Sequence, residues 1–252
     1  MADKKKILIT GAGSGFGLGA AIKLQSMGHQ VVGGVVDAAQ ADALHEHGIR
    51  SLQLDVTDPV DIAAVDALEL DVLVNNAGRG QLGALADIDM ANVRKVFEVN
   101  VFGTLQVTQA AIPAMKRKKS GRIIIVSSIA GVFSGQLTGP YAMTKHALEA
   151  MSKSLRAELE PYGISVAKLN PGPYATGFND QMVEAVEAVV APGSNEAEMA
   201  SGTRKRMLGN QLDPQEVVDA MVSLCVEPAV EFETFKPDNI LERYGARIVR
   251  PA

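Results

Sequence analysis

The stretch that decides the fold is Lys6-Ile7-Leu8-Ile9-Thr10-Gly11-Ala12-Gly13-Ser14-Gly15-Phe16-Gly17. An apolar, strand-like run passes directly into a glycine-rich loop, and a helical pattern begins at Gly15. Glycines allow a ligand to approach the backbone closely, and the first turn of a helix offers free N–H groups and a positive dipole. The junction therefore predicts a pyrophosphate site, although such a turn can also serve tight packing alone. No lysine follows the glycines, which excludes a P-loop.

Beyond this junction, short apolar runs rich in β-branched residues alternate with helix-like stretches. Strands without strong polar alternation, separated by helices, indicate a parallel sheet that is covered on both faces. Its crossovers should be right-handed, so we predict an α/β fold with a three-layer doubly wound parallel sheet, the Rossmann fold. The predicted strands span residues 6–10, 30–36, 50–54, 71–75, 121–127 and 163–169, and the predicted helices span residues 15–27, 38–47, 59–68, 92–118 and 140–162.

The sequence predicts a single domain over residues 1–252, because it contains no repeat, no low-complexity tract and no linker rich in Gly, Ser or Pro. After Thr176 the pattern changes, and residues 178–212 are expected to form a helical excursion over the carboxyl edge of the sheet. A later helix is expected over residues 214–226. The weak periodicity of the tail leaves open whether a seventh strand forms.

The composition excludes several classes of protein. The net charge of −5 argues against a general nucleic-acid binder. No apolar run approaches the roughly 18 residues of a membrane-spanning helix, and the run after Lys6 is too short for a signal peptide. The single Cys225 cannot form an internal disulfide. We expect a cytoplasmic protein that binds neither nucleic acid nor membrane.

Two acidic residues follow the second and third predicted strands. Asp37 lies twenty residues after Gly17, about where a dinucleotide-binding fold places an acid for the ribose hydroxyls. It could instead cap the helix that begins at Ala38. Asp55 could accept a hydrogen bond from an adenine amino group, or it could initiate a turn.

Tyr141 and Lys145 are four residues apart in a predicted helix, so their side chains project from nearly the same face. Forming a phenolate at neutral pH costs about 4 kcal/mol. An ammonium group at about 5 Å contributes about 3 kcal/mol toward it at an effective dielectric constant near 20. Tyr141 is therefore a candidate general acid and base. The pair alone is weak support, because this spacing is common on helices.

Other polar residues follow the fourth and fifth predicted strands. Ser127 and Ser128 end a strand at the carboxyl edge, where open α/β sheets hold their ligands. A serine hydroxyl there can donate to a substrate carbonyl beside the tyrosine. Asn75-Asn76-Ala77-Gly78 follows the preceding strand and could be a simple turn.

Together these residues resemble the short-chain dehydrogenase/reductase family, in the branch with TGxxxGxG and YxxxK motifs. The resemblance covers residues 5–178 and implies a seven-stranded fold that usually forms a homotetramer, so we expect a homo-oligomer, either tetramer or dimer. The matching pieces occur in family order: Thr10-Gly11-x-x-x-Gly15-x-Gly17, Asp55, Asn75-Asn76-Ala77-Gly78, Asn100, Ser128, Tyr141-x-x-x-Lys145 and Pro171-Gly172.

The resemblance implies a dinucleotide-binding catalytic domain with a hydride-transfer site. Tyr141 would be the acid and base at the carbonyl or alcohol oxygen. Lys145 would bind the nicotinamide ribose and lower the pKa of Tyr141. Ser128 would orient the substrate oxygen, and Asn100 would hold a water that links Lys145 to solvent.

The resemblance also implies the contacts of the cofactor. The family's usual specificity position falls on Val35, with Asp37 two positions later and no cation nearby. Because Asp37 would repel a 2′-phosphate, NAD is expected in preference to NADP. The residues expected to bind the cofactor are Gly11, Ser14, Phe16, Gly17, Asp37, Asp55, Val56, Asn76, Ala77, Gly78, Tyr141, Lys145, Pro171, Gly172 and Thr176.

We therefore expect an NAD(P)-dependent oxidoreductase that interconverts a secondary alcohol and a ketone, with no metal site. The excursion is apolar, which favours an apolar substrate in contact with Ser128, Tyr141, Phe178 and Met182. The alternative for the apolar residues is simple packing against the sheet edge. Alternatives for the function are a redox reaction on a sugar-type or unsaturated substrate, and a dinucleotide-sensing protein without turnover.

Overall fold

A seven-stranded parallel sheet forms the centre of the computed structural model, which describes residues 4–244. Residues 1–3 and 245–252 of the predicted domain lie outside the described residues. The strands are β1 (Lys6–Thr10), β2 (Gln30–Val35), β3 (Arg50–Gln53), β4 (Val72–Asn75), β5 (Gly121–Val126), β6 (Ile164–Pro171) and β7 (Glu233–Lys236). Their order in the sheet is β3-β2-β1-β4-β5-β6-β7, the Rossmann arrangement that the sequence predicts. The open question of the tail is settled, because β7 pairs in parallel with β6.

Helices cover both faces of the sheet. They are α1 (Gly15–Ser26), α2 (Ala38–His45), α3 (Pro59–Ala63), α4 (Met90–Phe97), α5 (Thr104–Lys118), α6 (Gly139–Leu159), α7 (Phe178–Glu187), α8 (Asn195–Leu208), α9 (Gln215–Val226) and α10 (Ile240–Tyr244). None of the helices in residues 4–244 has the length and apolar character that crossing a membrane requires.

The alternation of side chains along β1 divides the core into two layers. Ile7 and Ile9 pack in the layer that includes α1 and α9, whereas Leu8 packs in the layer that includes α5 and α6. All three side chains are fully buried. Because successive side chains of a strand point to opposite faces, one short apolar run contributes to both layers. Both faces of the sheet are thereby covered, and loops occupy its carboxyl edge.

The predicted helix over residues 92–118 is wrong in one respect. The chain forms α4, then a π-helical segment over Glu98–Gly103, and only then α5. Wide turns of this kind are frequent at functional sites. Here the wide turn buries Asn100, which is 1% exposed, and turns its side chain toward Arg79 and Thr144.

The predicted excursion is helical, and it consists mainly of α7 and α8. Their inner faces form a separate apolar cluster with two loop residues, Leu82 and Leu137. This cluster lies beyond the two main layers and covers the carboxyl edge of the sheet. The excursion thus contributes a third apolar surface, which encloses the site described next.

Candidate active site

A cavity of about 780 Å³ opens at the carboxyl edge of the sheet. Three of the site residues predicted from the sequence do not line this cavity: Gly17, Asp37 and Asn100. The structure brings the others together around this one space: Gly11, Ser14, Phe16, Asp55, Val56, Asn76, Ala77, Gly78, Ser128, Tyr141, Lys145, Pro171, Gly172, Thr176, Phe178 and Met182.

The glycine loop is shaped by a close approach of two backbones. Gly11 has φ +62°, and a Cβ atom at this position would lie 2.8 Å from the Cα of Ala77. Ser14 precedes α1, but its side chain does not cap the helix. The first-turn N–H groups of α1 therefore receive no capping bond from Ser14, and such groups together with the helix dipole favour an anion. These features fit a pyrophosphate at the loop.

The segment after β4 holds the glycine loop in place, so it is more than a simple turn. The Asn76 side-chain amide donates to the carbonyl oxygens of Thr10 and Gly11, both at 3.0 Å. In return, the Thr10 hydroxyl accepts from the backbone N–H groups of Asn76 and Ala77, at 3.0 and 2.9 Å. This reciprocal pairing fixes the two loops to each other across the first and fourth strands.

Asp37 acts in the structure as the cap of α2. Its Oδ1 accepts from the backbone N–H of Gln40 at 2.9 Å, and its Oδ2 accepts from the Gln40 side chain at 3.1 Å. Gln40, which the sequence analysis does not single out, lines the cavity beside Val36 instead. Of the two interpretations of Asp37, the capping one is therefore the one observed. Gln40 gives no signal in the sequence, because its position depends on how α2 packs against the loop.

Asp55 makes the turn that is one of its two expected roles, and its contact with an adenine amino group stays a prediction. Its Oδ1 accepts from the backbone N–H and the hydroxyl of Thr57, at 2.8 and 2.7 Å, which makes a turn. The residue also lines the cavity. Within residues 4–244, its other carboxylate oxygen has no hydrogen-bond donor and is available to a ligand.

Tyr141, Lys145 and Ser128 meet at the inner part of the cavity. The Lys145 ammonium nitrogen lies 5.5 Å from the centre of the Tyr141 ring and donates to the Val126 carbonyl oxygen at 2.9 Å. Ser128 lines the cavity beside them and interacts with the Tyr141 side chain. The helical spacing and the end of β5 thus place a phenol, an ammonium group and a hydroxyl around one point.

The pKa values of the pair correct one expectation. Burial raises the pKa of Tyr141 well above its usual value, and the hydrogen bond with Ser128 offsets only part of this rise. The net shift is therefore upward, whereas the sequence predicts a downward one, because a spacing of four residues reveals the charge of Lys145 but not the burial of the phenol. The lowering contributed by Lys145 itself stays a prediction. Burial also lowers the pKa of Lys145 to about 8, and the carboxylate of Glu149 opposes this fall. At neutral pH the site therefore holds a neutral phenol and a largely charged lysine.

Asn100 lies behind the cavity and joins two of its walls. Its Oδ1 accepts from the Arg79 backbone N–H at 2.7 Å, while its amide donates to the Arg79 carbonyl oxygen at 2.9 Å and to the Thr144 hydroxyl at 3.0 Å. Both amide hydrogens are thus used within the protein. The expected role of Asn100 in holding a water stays a prediction.

The excursion covers the end of the cavity beside Tyr141. The ring of Phe178 lies 5.9 Å from that of Tyr141, measured between centres. A Cβ atom on Gly80 would lie 2.1 Å from the Met182 sulfur, so α7 packs directly on the loop after β4. Leu82 and Phe133 line the same region. Both lie in loops, which carry no periodic pattern from which the sequence could predict them.

This fold and this site define a pyridine-nucleotide oxidoreductase. The sequence profile described as short chain dehydrogenase matches residues 5–187. The chain belongs to the short-chain dehydrogenase family, as its motifs predict.

Several relatives resemble most of this chain. An uncharacterized oxidoreductase of Bacillus subtilis, YusZ, is 36% identical over 91% of this chain and 87% of its own. Human retinol dehydrogenase 8 is 31% identical over 88% of this chain and 78% of its own. Human 17-beta-hydroxysteroid dehydrogenase type 1 is 36% identical over 73% of this chain and 61% of its own.

Two solved structures share the fold. A short-chain dehydrogenase from Streptomyces avermitilis superposes with a TM-score of 0.83 at 28% identity, covering 97% of this chain and 92% of that one. A short chain dehydrogenase from Burkholderia cenocepacia, solved in complex with NADP, gives a TM-score of 0.76 at 25% identity and covers 99% of both chains.

Replacing Gly11 should weaken dinucleotide binding. In Gly11→Ala the added methyl group meets the backbone of Ala77, which displaces the loop. We expect at least a tenfold loss of NADH and NADPH affinity, about 1.4 kcal/mol or more, in a calorimetric titration.

Gly48→Ala is the matched control, because Gly48 has a similar φ of +65° but open space around it. It should carry the same backbone strain and keep its affinity. Equal affinities of the Gly11→Ala variant and the unmodified protein would contradict the role of the close approach.

Proposed function

We propose that this protein interconverts a secondary alcohol and a ketone of mainly apolar character, with Tyr141 as the acid and base. The observation that carries the proposal is the convergence of Tyr141, Ser128 and Lys145 in the cavity. The apolar lining contributed by Phe178 and Met182 supports an apolar substrate. So do two relatives whose names denote oxidation of retinol and of a hydroxysteroid.

The residues of the cavity fit a pyridine dinucleotide, which supplies or accepts the hydride when it is bound. The glycine loop from Gly11 to Phe16 would hold the pyrophosphate, and Asp55 and Val56 would contact the adenosine end. The cavity wall between the pyrophosphate site and the adenosine end would be formed by Asn76, Ala77 and Gly78. The nicotinamide end would be held by Tyr141, Lys145, Pro171, Gly172 and Thr176.

In the direction of reduction, Tyr141 donates its phenolic proton to the ketone oxygen while a hydride adds to the carbonyl carbon, which gives the alcohol. The raised pKa of Tyr141 suits this step, since the phenol is protonated at neutral pH. The Lys145 ammonium group stabilises the phenolate that remains. Ser128 orients the substrate oxygen beside the phenol. In the direction of oxidation, the phenolate form of Tyr141 accepts the proton of the alcohol.

We also propose that NAD is preferred over NADP. The adenosine end of the cavity is lined by Val36, Gln40, Leu54 and Asp55. Among the described residues, no cation lines this end, and the carboxylate of Asp37 lies directly behind Gln40. A 2′-phosphate would find no partner there. The homo-oligomeric state, the cytoplasmic location and the roles of Asn100 and Gly17 stay predictions.

The decisive experiment is Tyr141→Phe. The variant lacks the proton donor, so ketone reduction, followed by the absorbance of the reduced nicotinamide, should fall by a factor of about 10² to 10⁴. Cofactor affinity should stay within a small factor. Tyr162→Phe makes the same chemical change at a site 45% exposed and should keep full turnover.

Unchanged turnover in Tyr141→Phe would overturn the acid-base assignment. A protein that binds the dinucleotide but reduces no ketone in a broad screen would be the sensing alternative. Reduction of small charged carbonyl compounds alone would replace the apolar substrate class with a sugar-type one.

Reduction should depend on the charge of Lys145. The pKa of Lys145 is lowered to about 8, so the ammonium form predominates below that pH and is lost above it. Tyr141, with its raised pKa, stays protonated through this range. We expect kcat/KM for reduction to decline as pH rises through about 8. A profile that is flat to strongly alkaline pH would contradict the role of Lys145.

The cofactor preference can be tested at Gln40. Gln40→Arg places a cation at the adenosine end, and we expect it to raise NADPH affinity about tenfold, or about 1.4 kcal/mol. Gln40→Met, similar in size and uncharged, should not raise it. Tighter binding of NADPH than of NADH by the unmodified protein would refute the preference for NAD.

A further inference from the structure

A cluster of buried charges lies one helical turn beyond the catalytic lysine. Tyr141, Lys145 and Glu149 follow one another at intervals of four residues along α6, and Glu149 is 7% exposed. Its carboxylate forms an ion pair with Lys168 of β6, which is 2% exposed. Asn170, also of β6, donates its side-chain amide to Glu149 Oε1 at 2.8 Å. Glu149 is therefore held firmly from the neighbouring strand.

Lys168 connects this cluster to the edge of the sheet. Besides Glu149, its ammonium group pairs with Glu233 of β7, whose side chain is 40% exposed. The lysine interrupts an otherwise apolar strand centre at a position that a helix covers. Buried ion pairs are poor sources of stability, because desolvation offsets their attraction and an apolar replacement is often neutral or better. The cluster is thus a candidate for a role beyond folding.

The surroundings of Glu149 are polar on the side of the active site as well. A Cβ atom on Gly131 would lie 3.1 Å from Glu149 Oε1 and 2.9 Å from Ser127 Oγ, so this glycine leaves room between the two oxygens. Within residues 4–244, Ser127 Oγ and Asn170 Oδ1 are buried without a hydrogen-bond partner. Polar atoms therefore gather around the carboxylate between β5, β6 and α6.

We propose that Glu149, fixed by Lys168 and Asn170, is a positioning residue for Lys145, and that its buried carboxylate keeps the Lys145 ammonium group charged within an apolar environment. The inference rests on the proposed function for its catalytic meaning, because a charged Lys145 is what stabilises the phenolate of Tyr141.

The electrostatic balance at Lys145 supports this role. Burial lowers the pKa of Lys145, and Glu149 is the charged group that raises it. From β5, Lys145 meets the uncharged carbonyl of Val126, and on its own helix it meets Tyr141, which is neutral. The remaining charges of the cluster are Lys168, which pairs with Glu149, and Glu233, which pairs with Lys168. Glu149 is therefore the carboxylate best placed to act on Lys145.

The direct test is an NMR titration of the Lys145 side-chain nitrogen in ¹⁵N-lysine-labelled protein, without substrate or cofactor. Lys145→Met identifies the signal. In Glu149→Gln, we expect the titration midpoint of Lys145 to fall by about one pH unit or more. Glu233→Gln is the matched control, since it removes the same charge from the other partner of Lys168. It should leave the midpoint in place.

Kinetics supply a second readout. The alkaline decline of ketone reduction should move to lower pH in Glu149→Gln and return toward its original position in Glu149→Asp, which keeps the charge. The two proposals can fail separately. If the titration midpoint of Lys145 moves in Glu149→Gln but neither the unmodified protein nor any variant reduces a ketone, the positioning role stands and the proposed function fails.

An unmoved midpoint in folded Glu149→Gln overturns the positioning role, as does an equal shift in Glu233→Gln. If Glu149→Gln does not fold, Lys168→Gln carries the test. Removing that ammonium group should raise the midpoint of Lys145, because a like charge disappears while Glu149 remains. A midpoint that is unchanged or lower in Lys168→Gln also overturns the proposal.

Discussion

The contact between the loop after β1 and the loop after β4 is the constraint on which the site depends. Thr10 and Asn76 exchange hydrogen bonds across it, and Gly11 has no side chain that would keep the two backbones apart. The carboxyl ends of neighbouring parallel strands are thereby held at fixed separation. The first turn of α1 and the wall formed by Asn76 and Ala77 then face one space, which is the condition for binding an extended dinucleotide.

Helix α6 supplies the residues that make this binding site a candidate for acid-base chemistry. It carries Tyr141 and Lys145 on one face, and the end of β5 brings Ser128 to the phenol. Burial acts on the two titrating groups in opposite senses, because it disfavours the charged form of each: the pKa of Tyr141 rises and that of Lys145 falls. The low-dielectric interior keeps the phenol protonated, and the ammonium group depends on the remaining charges around it.

Local patterns of the sequence predict the sheet, its covering helices and the convergence of the Tyr–Lys pair with the glycine loop, because each of these follows from periodicity or from motifs at strand ends. The features that the sequence misses depend on tertiary packing. The wide turn around Asn100 and the placement of Gln40 rather than Asp37 in the cavity have no local signal. The direction of the pKa shift of Tyr141 requires the burial of the phenol, which a spacing of four residues does not reveal.

The contact between Gly80 and Met182 has a consequence for how the substrate end could diversify. The thioether of Met182 occupies the volume that a side chain at position 80 would need, so two residues of separate segments share the space at this end. Neither residue touches the hydrogen bonds that anchor Asn76 or the lysine beneath the phenol. Under the proposed function, the contact at the substrate end and the residues that carry the chemistry belong to different parts of the chain, and one can change through ordinary substitution while the other is preserved.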